Sequence, residues 1–194
     1  MIKQAIIPLA GLGTRLLPLT SVFAKELLPI NGKPGIEYIL DECIEAGIKE
    51  VVFIISKKKE MIKKYFYNDS FYKKILKKKK DLRIKEEYKK ILKYKKMIKF
   101  VYQNKPLGTG DAVLKTKKFI KGKYFLMLLP DDLIIKQNCS KSMIKVHNQY
   151  KSSVMASMNV AKKTVSRWGI YKLKKRLNKK NYLIEKVIEK PSVK

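Results

Sequence analysis

Two glycines and two cations lie close together near the start of the chain. Gly11 and Gly13 stand in the string PLAGLGTRLLP, Arg15 follows two residues later, and Lys25 lies in the apolar string AKELLP. A glycine turn lets backbone N–H groups approach phosphate oxygens, and fixed cations offset the charge of a triphosphate. These residue types therefore indicate that the chain binds a phosphorylated nucleotide and transfers part of it.

Two well-known phosphate-binding patterns are absent from this turn. The dinucleotide pattern needs a third glycine at position 16, which is Leu16, and the P-loop needs Gly-Lys followed by Ser or Thr. Dinucleotide binding and P-loop ATP hydrolysis are therefore disfavoured. Taken by itself, the pair of glycines also fits a plain turn, and Lys25 is one of many lysines.

Further polar residues follow apolar strings that predict strands. Gln103 comes after IKFVY and shortly before Gly108, and Asp131 and Asp132 come directly after YFLMLLP. Mg²⁺ prefers hard oxygen ligands and bridges phosphates, so a carboxylate at the end of a strand fits a metal site. Without a surrounding motif, Gln103 also fits an ordinary surface position, and the two acids a surface turn.

The elements that must position these residues alternate between strands and helices. The predicted strands are 4–9, 50–55, 98–102 and 124–129, with three more in SVMASMNV, WGIYKL and YLIEKVIEK. The predicted helices are 34–46, 57–66, 71–80, 86–96, 110–118 and 140–150. Continuous apolar runs are typical of strands buried on both faces of a parallel sheet. The order therefore predicts an α/β fold with three layers.

Length and composition exclude several classes of protein. The chain has 194 residues, 45% of them hydrophobic, nine Gly, seven Pro and two Cys. These values predict one globular domain over residues 1–194 and exclude collagen-like and disulfide-scaffold proteins. No apolar run approaches the ~20 residues of a membrane span, and the N-terminus does not resemble a signal peptide. We expect a cytoplasmic protein in which Cys43 and Cys139 are reduced.

The net charge of +30 raises the possibility of nucleic-acid binding. Only four of the 46 basic residues are arginines, and the lysines are spread along the chain with a Lys-rich, helical stretch at about 57–97. Proteins that recognise bases use arginine more than lysine because its planar group forms paired hydrogen bonds. A solvated lysine surface is therefore favoured, and a polyanion-binding module remains the alternative.

Several strings in fixed order resemble the sugar-1-phosphate nucleotidyltransferases, in particular those that use UTP. They are AGLGTRLLPLT, AKELLPINGKPGIEYILDECIEAGI, QNKPLGTGDAV, LLPDD, WGIY and EKP. The resemblance covers essentially the whole chain and is weakest at 57–97. It implies a Rossmann-like, mostly parallel sheet of the nucleotide-diphospho-sugar transferase type. It also implies transfer of a uridylyl group from UTP to glucose 1-phosphate, giving UDP-glucose and pyrophosphate.

The resemblance also implies roles for individual residues. It assigns nucleotide binding to Ala10, Gly11, Gly13, Gln103 and Gly108, catalysis to Arg15 and Lys25, the Mg²⁺ cofactor to Asp131, and the sugar-phosphate substrate to Gly169, Glu189 and Lys190. Gln103 would meet the edge of uracil, because an amide offers both a donor and an acceptor. The resemblance further implies a homo-oligomer, and from the sequence we expect no specific nucleic acid and no membrane as partner.

The chain departs from the family pattern at two places. The uridylyltransferases usually have His where Asp111 stands, so a dTTP-dependent thymidylyltransferase remains an alternative. Relatives also continue well past the position of Lys194, with further sheet, a second glutamate for the sugar and a second aspartate for the metal. We therefore expect the 194-residue chain alone to be impaired, and a non-catalytic, polyanion-binding remnant is the remaining alternative.

Overall fold

The chain divides into two units, with the boundary between Val154 and Met155. Four parallel strands form the centre of the first unit. The computed structural model describes residues 2–192. The four strands are β1 (Gln4–Pro8), β4 (Glu50–Ile55), β5 (Ile98–Tyr102) and β6 (Leu126–Met127), in the order β5-β4-β1-β6. A short hairpin lies between the first two in sequence, formed by β2 (Pro29–Ile30) and β3 (Lys33–Pro34).

Six α-helices connect and cover these strands within the first unit. They are α1 (Gly35–Glu45), α2 (Glu60–Tyr67), α3 (Asp69–Lys78), α4 (Leu82–Met97), α5 (Thr109–Lys115) and α6 (Cys139–Tyr150). The helix predicted from the apolar stripe between Ile36 and Ile44 is confirmed as α1, and Gly47 follows it with a φ of +80°. This positive φ is readily adopted by glycine and ends the helix.

The apolar strands bury both of their faces, which produces the three predicted layers. Ala5 and Ile7 of β1 belong to the larger core, which contains α1, α2 and α4. Ile6, between them, faces the other side and packs with Ile54 and with Ala112 of α5. Side chains alternate across a strand, so neighbouring apolar residues supply both cores. The predicted α/β fold with a mostly parallel sheet is confirmed.

The strand predicted at 124–129 is much shorter in the structure. Only Leu126 and Met127 pair, both with β1, and β6 forms one edge of the sheet. An edge strand has a neighbour on one side only, so fewer of its residues are held by backbone hydrogen bonds. The apolar run therefore predicted the place of the strand correctly and its length incorrectly.

The second unit is built around one antiparallel hairpin of β7 (Gly169–Arg176) and β8 (Tyr182–Glu189). These two strands confirm the predictions from WGIYKL and YLIEKVIEK. The strand predicted in SVMASMNV is wrong, because 153–160 contains no strand and Met155 and Met158 are 54% and 81% exposed. A strand needs a partner for its backbone groups, and the described residues place none beside this segment.

The Lys-rich stretch is helical, as predicted. Asp81 caps α4 by accepting a hydrogen bond from the backbone N–H of Ile84 at 3.1 Å. Tyr72 of α3 and Tyr88 of α4 stack with their ring centroids 5.0 Å apart. The lysines of α3 are exposed or half-buried. Aromatic contacts therefore hold the two helices together, while most of their charge faces solvent.

The two cysteines differ in burial. Cys43 of α1 is fully buried, whereas Cys139, at the start of α6, is partly exposed. Over residues 2–192, no helix has both the length and the apolar character needed to cross a bilayer.

Candidate active site

A pocket lies at the carboxyl edge of the parallel sheet. Its volume is about 270 Å³, and its walls include Ala10, Gly11, Lys25, Gln103, Gly108 and Asp131. The loops that follow β1, β5 and β6 each contribute to it, because parallel strands end at the same edge of a sheet. Six of the eight residues predicted for nucleotide, phosphate and metal binding therefore line one pocket.

The loop after β1 has a backbone conformation that favours glycine at one position. Gly13 has a φ of +70°, and its carbonyl accepts a hydrogen bond from the Thr20 hydroxyl at 2.8 Å. A Cβ added to Gly13 would lie 3.1 Å from Cγ2 of Thr20 and 3.6 Å from Cδ of Lys25. Gly13 therefore sets the path of the loop, and Gly11, with nothing within 4 Å of a built Cβ, leaves open space.

Both predicted cations converge on one carboxylate. Nη2 of Arg15 and Nζ of Lys25 each lie 3.2 Å from Oδ2 of Asp131. The Arg15 side chain is 87% exposed and that of Lys25 is 19% exposed. The Arg15 guanidinium is therefore open to solvent, whereas the Lys25 side chain is largely enclosed in the pocket wall. The three groups that the sequence placed at a phosphate site therefore lie together.

The ionisation of Asp131 reflects these neighbours. Partial burial by itself would raise its pKa, but the charges of Lys25 and Arg15 and a hydrogen bond from Lys25 lower it. The net effect is a pKa below the ordinary value for aspartate. Asp131 is therefore a carboxylate at neutral pH, with the charge that a metal ligand needs.

A buried ion pair holds the turn that carries Lys25. Nζ of Lys59 donates to both carboxylate oxygens of Glu26 at 2.8 Å, and the two side chains are 9% and 1% exposed. Glu26 lies in the single-turn helix Lys25–Leu27. Burial lowers the pKa of Lys59, and the Glu26 carboxylate opposes that effect. The pair fixes the backbone from which Lys25 extends.

Gln103 lies directly after β5 and is buried. Its backbone N–H donates to the carbonyl of Ile55 at 2.8 Å, which extends the sheet by one residue. Its Nε2 donates to the carbonyl of Gly108 at 3.0 Å and to Oδ2 of Asp111 at 2.7 Å. The side chain predicted to meet a base is therefore held in one orientation.

The residues predicted for the sugar phosphate form a separate cluster within the second unit. Gly169 pairs with Glu189 across the β7–β8 hairpin, and a Cβ on Gly169 would lie 3.1 Å from Oε2 of Glu189. Lys190 follows with a φ of +45°, and its Nζ is 3.8 Å from Oε1 of Glu189. The hairpin therefore brings all three together at one end, with the two side chains exposed.

Six residues of the pocket were not predicted as site residues from the sequence. Glu26 lines it, together with Pro8, Pro106, Thr109, Leu129 and Pro130. A single acid inside the apolar string AKELLP was a signal for a buried charge, because an isolated carboxylate in an apolar turn needs a partner. The partner, Lys59, is one of many lysines and lies far away in sequence, so no local pattern pointed to it.

Two carboxylates line the pocket, and because Glu26 is paired with Lys59, Asp131 is the one that can serve a metal ion. The described residues contain no cluster of three or more His, Cys, Asp or Glu side chains that could hold a metal by themselves. Mg²⁺ is commonly bound by one or two carboxylates together with substrate phosphates. Asp131 therefore fits an Mg²⁺ ion that arrives with a triphosphate, and does not form a complete site alone.

A family model, relatives in sequence and solved structures all indicate the same family. The nucleotidyl transferase family model matches residues 4–194. UTP–glucose-1-phosphate uridylyltransferase of Mycoplasma pneumoniae is 37% identical over 99% of this chain and 66% of the relative. The UTP-bound UGPase of Acinetobacter baumannii matches with a TM-score of 0.90 at 31% identity, over 100% of this chain and 69% of that one.

A second solved structure, UDP-glucose pyrophosphorylase complexed with UDP-glucose, matches with a TM-score of 0.82 at 30% identity. The match covers 98% of this chain and 70% of the chain in that structure. The chain thus spans about two thirds of the length of these relatives. Fold, motif order and whole-chain similarity agree, and the chain belongs to the nucleotidyl transferase family.

Proposed function

We propose that this chain binds UTP in the pocket and transfers its uridylyl group to glucose 1-phosphate. The observation that carries the proposal is the convergence of Arg15 and Lys25 on Asp131 beside the glycine loop. Relatives with more than 30% identity are named for this reaction or bound to UTP. The products would be UDP-glucose and pyrophosphate.

In this reaction a phosphate oxygen of glucose 1-phosphate attacks the α-phosphorus of UTP, and the bond to pyrophosphate breaks. Negative charge grows on the oxygens of the α-phosphate and on the departing pyrophosphate. Lys25, held by its buried neighbours, and Arg15, free to move, would offset that charge. No side chain needs to form a covalent bond, so positioning and charge would provide the catalysis.

The loop backbone would contact the nucleotide where side chains are absent. Ala10 and Gly11 line the pocket, and Gly11 has open space where a side chain would stand. Gly108, with a φ of +90°, gives the loop below the base a path that few other residues adopt. These positions would let a nucleotide approach the chain closely.

Asp131 would hold Mg²⁺ together with the phosphates of UTP. When bound, the metal would neutralise phosphate charge and help to orient the triphosphate. In the second unit, the Glu189 carboxylate would accept hydrogen bonds from sugar hydroxyls, and Lys190 would pair with the phosphate of the sugar substrate. A side chain at position 169 would crowd the Glu189 carboxylate, which Gly169 avoids.

The proposed reaction is tested by measuring pyrophosphate release from UTP with glucose 1-phosphate. We expect release above the level without the sugar, and a loss of about 10²–10³-fold in Lys25→Ala, the range seen when a group that stabilises transition-state charge is removed. Lys58→Ala is the matched control, because Lys58 is exposed. Comparing UTP with dTTP in the same assay decides between the uridylyl and thymidylyl reactions.

The competing polyanion-binding function makes a different prediction. It requires binding to mixed-sequence RNA that weakens steeply with salt, with no saturable UTP binding. Titrating the chain with UTP and with RNA across a salt series separates the two. Failure to saturate with UTP would contradict the proposed reaction.

A further inference from the structure

The side-chain amide of Gln103 has only one orientation that satisfies its neighbours. The carbonyl of Gly108 and the carboxylate of Asp111 can only accept hydrogen bonds, and they lie 3.0 and 2.7 Å from one end of the amide. That end must therefore be the NH₂ group, and both of its hydrogens are used. A half-turn of the amide would place an oxygen against two acceptors.

The other end of the amide is an unused acceptor. Throughout residues 2–192, no group donates a hydrogen bond to Oε1 of Gln103, and this oxygen is not among the fully buried, unpaired side-chain atoms. Gln103 lines the pocket. The pocket therefore offers the Gln103 oxygen, and not the amide nitrogen, to a ligand.

Asp111 is itself held in place. It lies in the first turn of α5, where a negative charge is favourable. Its Oδ1 is 3.6 Å from Nζ of Lys115, one turn further along the same helix, which leaves Oδ2 facing Gln103. The carboxylate thus has one oxygen for each neighbour.

We propose that Asp111 is a positioning residue that determines base selectivity through Gln103. A fixed acceptor in the pocket accepts a hydrogen bond from the N3–H of uracil or thymine. Cytosine has a bare, accepting N3 and would leave both acceptors unpaired. This inference rests on the proposed binding of a nucleoside triphosphate. It adds Asp111 as the residue that disfavours CTP by orienting Gln103.

Removing Asp111 would release the amide. With Asp111 gone, only the Gly108 carbonyl still favours the present orientation of the amide, so the turned orientation, which presents Nε2 to the N3 of cytosine, becomes less costly. Selectivity for UTP over CTP would then fall while the phosphate contacts, made by other residues, persist. An asparagine at position 111 has a single oxygen for Gln103 and Lys115 and can also present its NH₂ group to Gln103, so it should hold the amide less firmly than aspartate.

The test is calorimetric titration of the whole chain with UTP, CTP and 3-methyl-UTP, which lacks the N3–H. We expect the unaltered chain to prefer UTP to each of the other two by about tenfold or more. Asp111→Leu should reduce the UTP:CTP ratio by about threefold or more. Glu86→Leu, which removes an exposed carboxylate on α4, should retain the ratio, and Asp111→Asn should give a ratio between those of the unaltered chain and Asp111→Leu.

The outcomes are distinguishable. An unchanged UTP:CTP ratio in a folded Asp111→Leu protein would overturn the inference, as would equal binding of UTP and 3-methyl-UTP by the unaltered chain. In each of these cases saturable UTP binding leaves the proposed function standing. If no triphosphate saturates the unaltered chain, the proposed function fails and the inference fails with it.

Discussion

The carboxylate of Asp131 depends on the two cations beside it. Its pKa is lowered, despite partial burial, mainly by Lys25 at 3.2 Å and then by Arg15. A lowered pKa means that, at a given pH within the ordinary titration range of aspartate, Asp131 is ionised to a greater extent than an unperturbed aspartate. Contacts with Lys25 and Arg15 therefore help Asp131 to keep its negative charge at mildly acidic pH.

Lys25→Met should move the titration of Asp131 to higher pH. The substitution removes the largest favourable charge, so the effect of burial is opposed only by a backbone hydrogen bond and by Arg15. The carboxyl carbon chemical shift of Asp131, followed against pH, measures the change. Lys123→Met alters an exposed lysine and should leave the midpoint in place; equal midpoints in the Lys25 variant and the unaltered chain would contradict the electrostatic account.

Lys59→Met should be among the most destabilising lysine substitutions. It leaves the Glu26 carboxylate, 1% exposed, without its partner. Breaking a buried pair in this way typically costs about 3–5 kcal/mol. Urea denaturation measures the free energy of unfolding. The adjacent, exposed Lys58→Met should change it by no more than about 0.5 kcal/mol, and similar values for both variants would argue against the pair.

At the scale of elements, the loop after β1 contains two glycines with different expected roles. Gly13 should matter for stability and Gly11 for ligand binding. Gly13→Ala places a Cβ at a φ of +70° and 3.1 Å from Thr20, so we expect a loss of about 1–2 kcal/mol of stability. Gly11→Ala meets open space and should keep its stability, yet weaken UTP binding because it fills part of the pocket wall. Thermal unfolding and UTP titration of both variants provide the measurement.

The strands of the sheet could be predicted wherever an apolar run is buried on both faces. For β1, β4 and β5 the predicted and observed bounds differ by at most one residue. The pattern failed for the shortened edge strand β6 and for the absent strand at 153–160. Apolar character is a local property, and backbone pairing is not.

The candidate site could also be predicted only in part. Residues within a motif, such as Lys25 and Asp131, were found from their strings and do lie together. Contacts between distant segments were not, because many lysines could have paired with Glu26. The hydrogen bond from Gln103 to Asp111 was equally unpredicted, although Asp111 already stood out as a departure from the family pattern.

For the molecule as a whole, the single carboxylate that can serve a metal ion predicts that metal and nucleotide bind together. Among the described residues, Asp131 belongs to no cluster of three or more possible metal ligands, and the protein has a net charge of +30. A cation is therefore repelled until phosphates contribute ligands. We expect titration with Mg²⁺ alone to show no saturation at millimolar concentrations, and Mg²⁺ to bind once UTP is present; tight Mg²⁺ binding without UTP would contradict this.

The unequal burial of the two cysteines offers a chemical handle. Burial raises the pKa of Cys43 to about 12, and the side chain has no access to solvent, whereas Cys139 is partly exposed at the first residue of α6. Maleimides react with accessible thiolates, so the folded protein should accept a single dye, at Cys139, confirmed by mass spectrometry of peptides. The natural sequence could then carry a fluorophore for single-molecule work without any engineered attachment point.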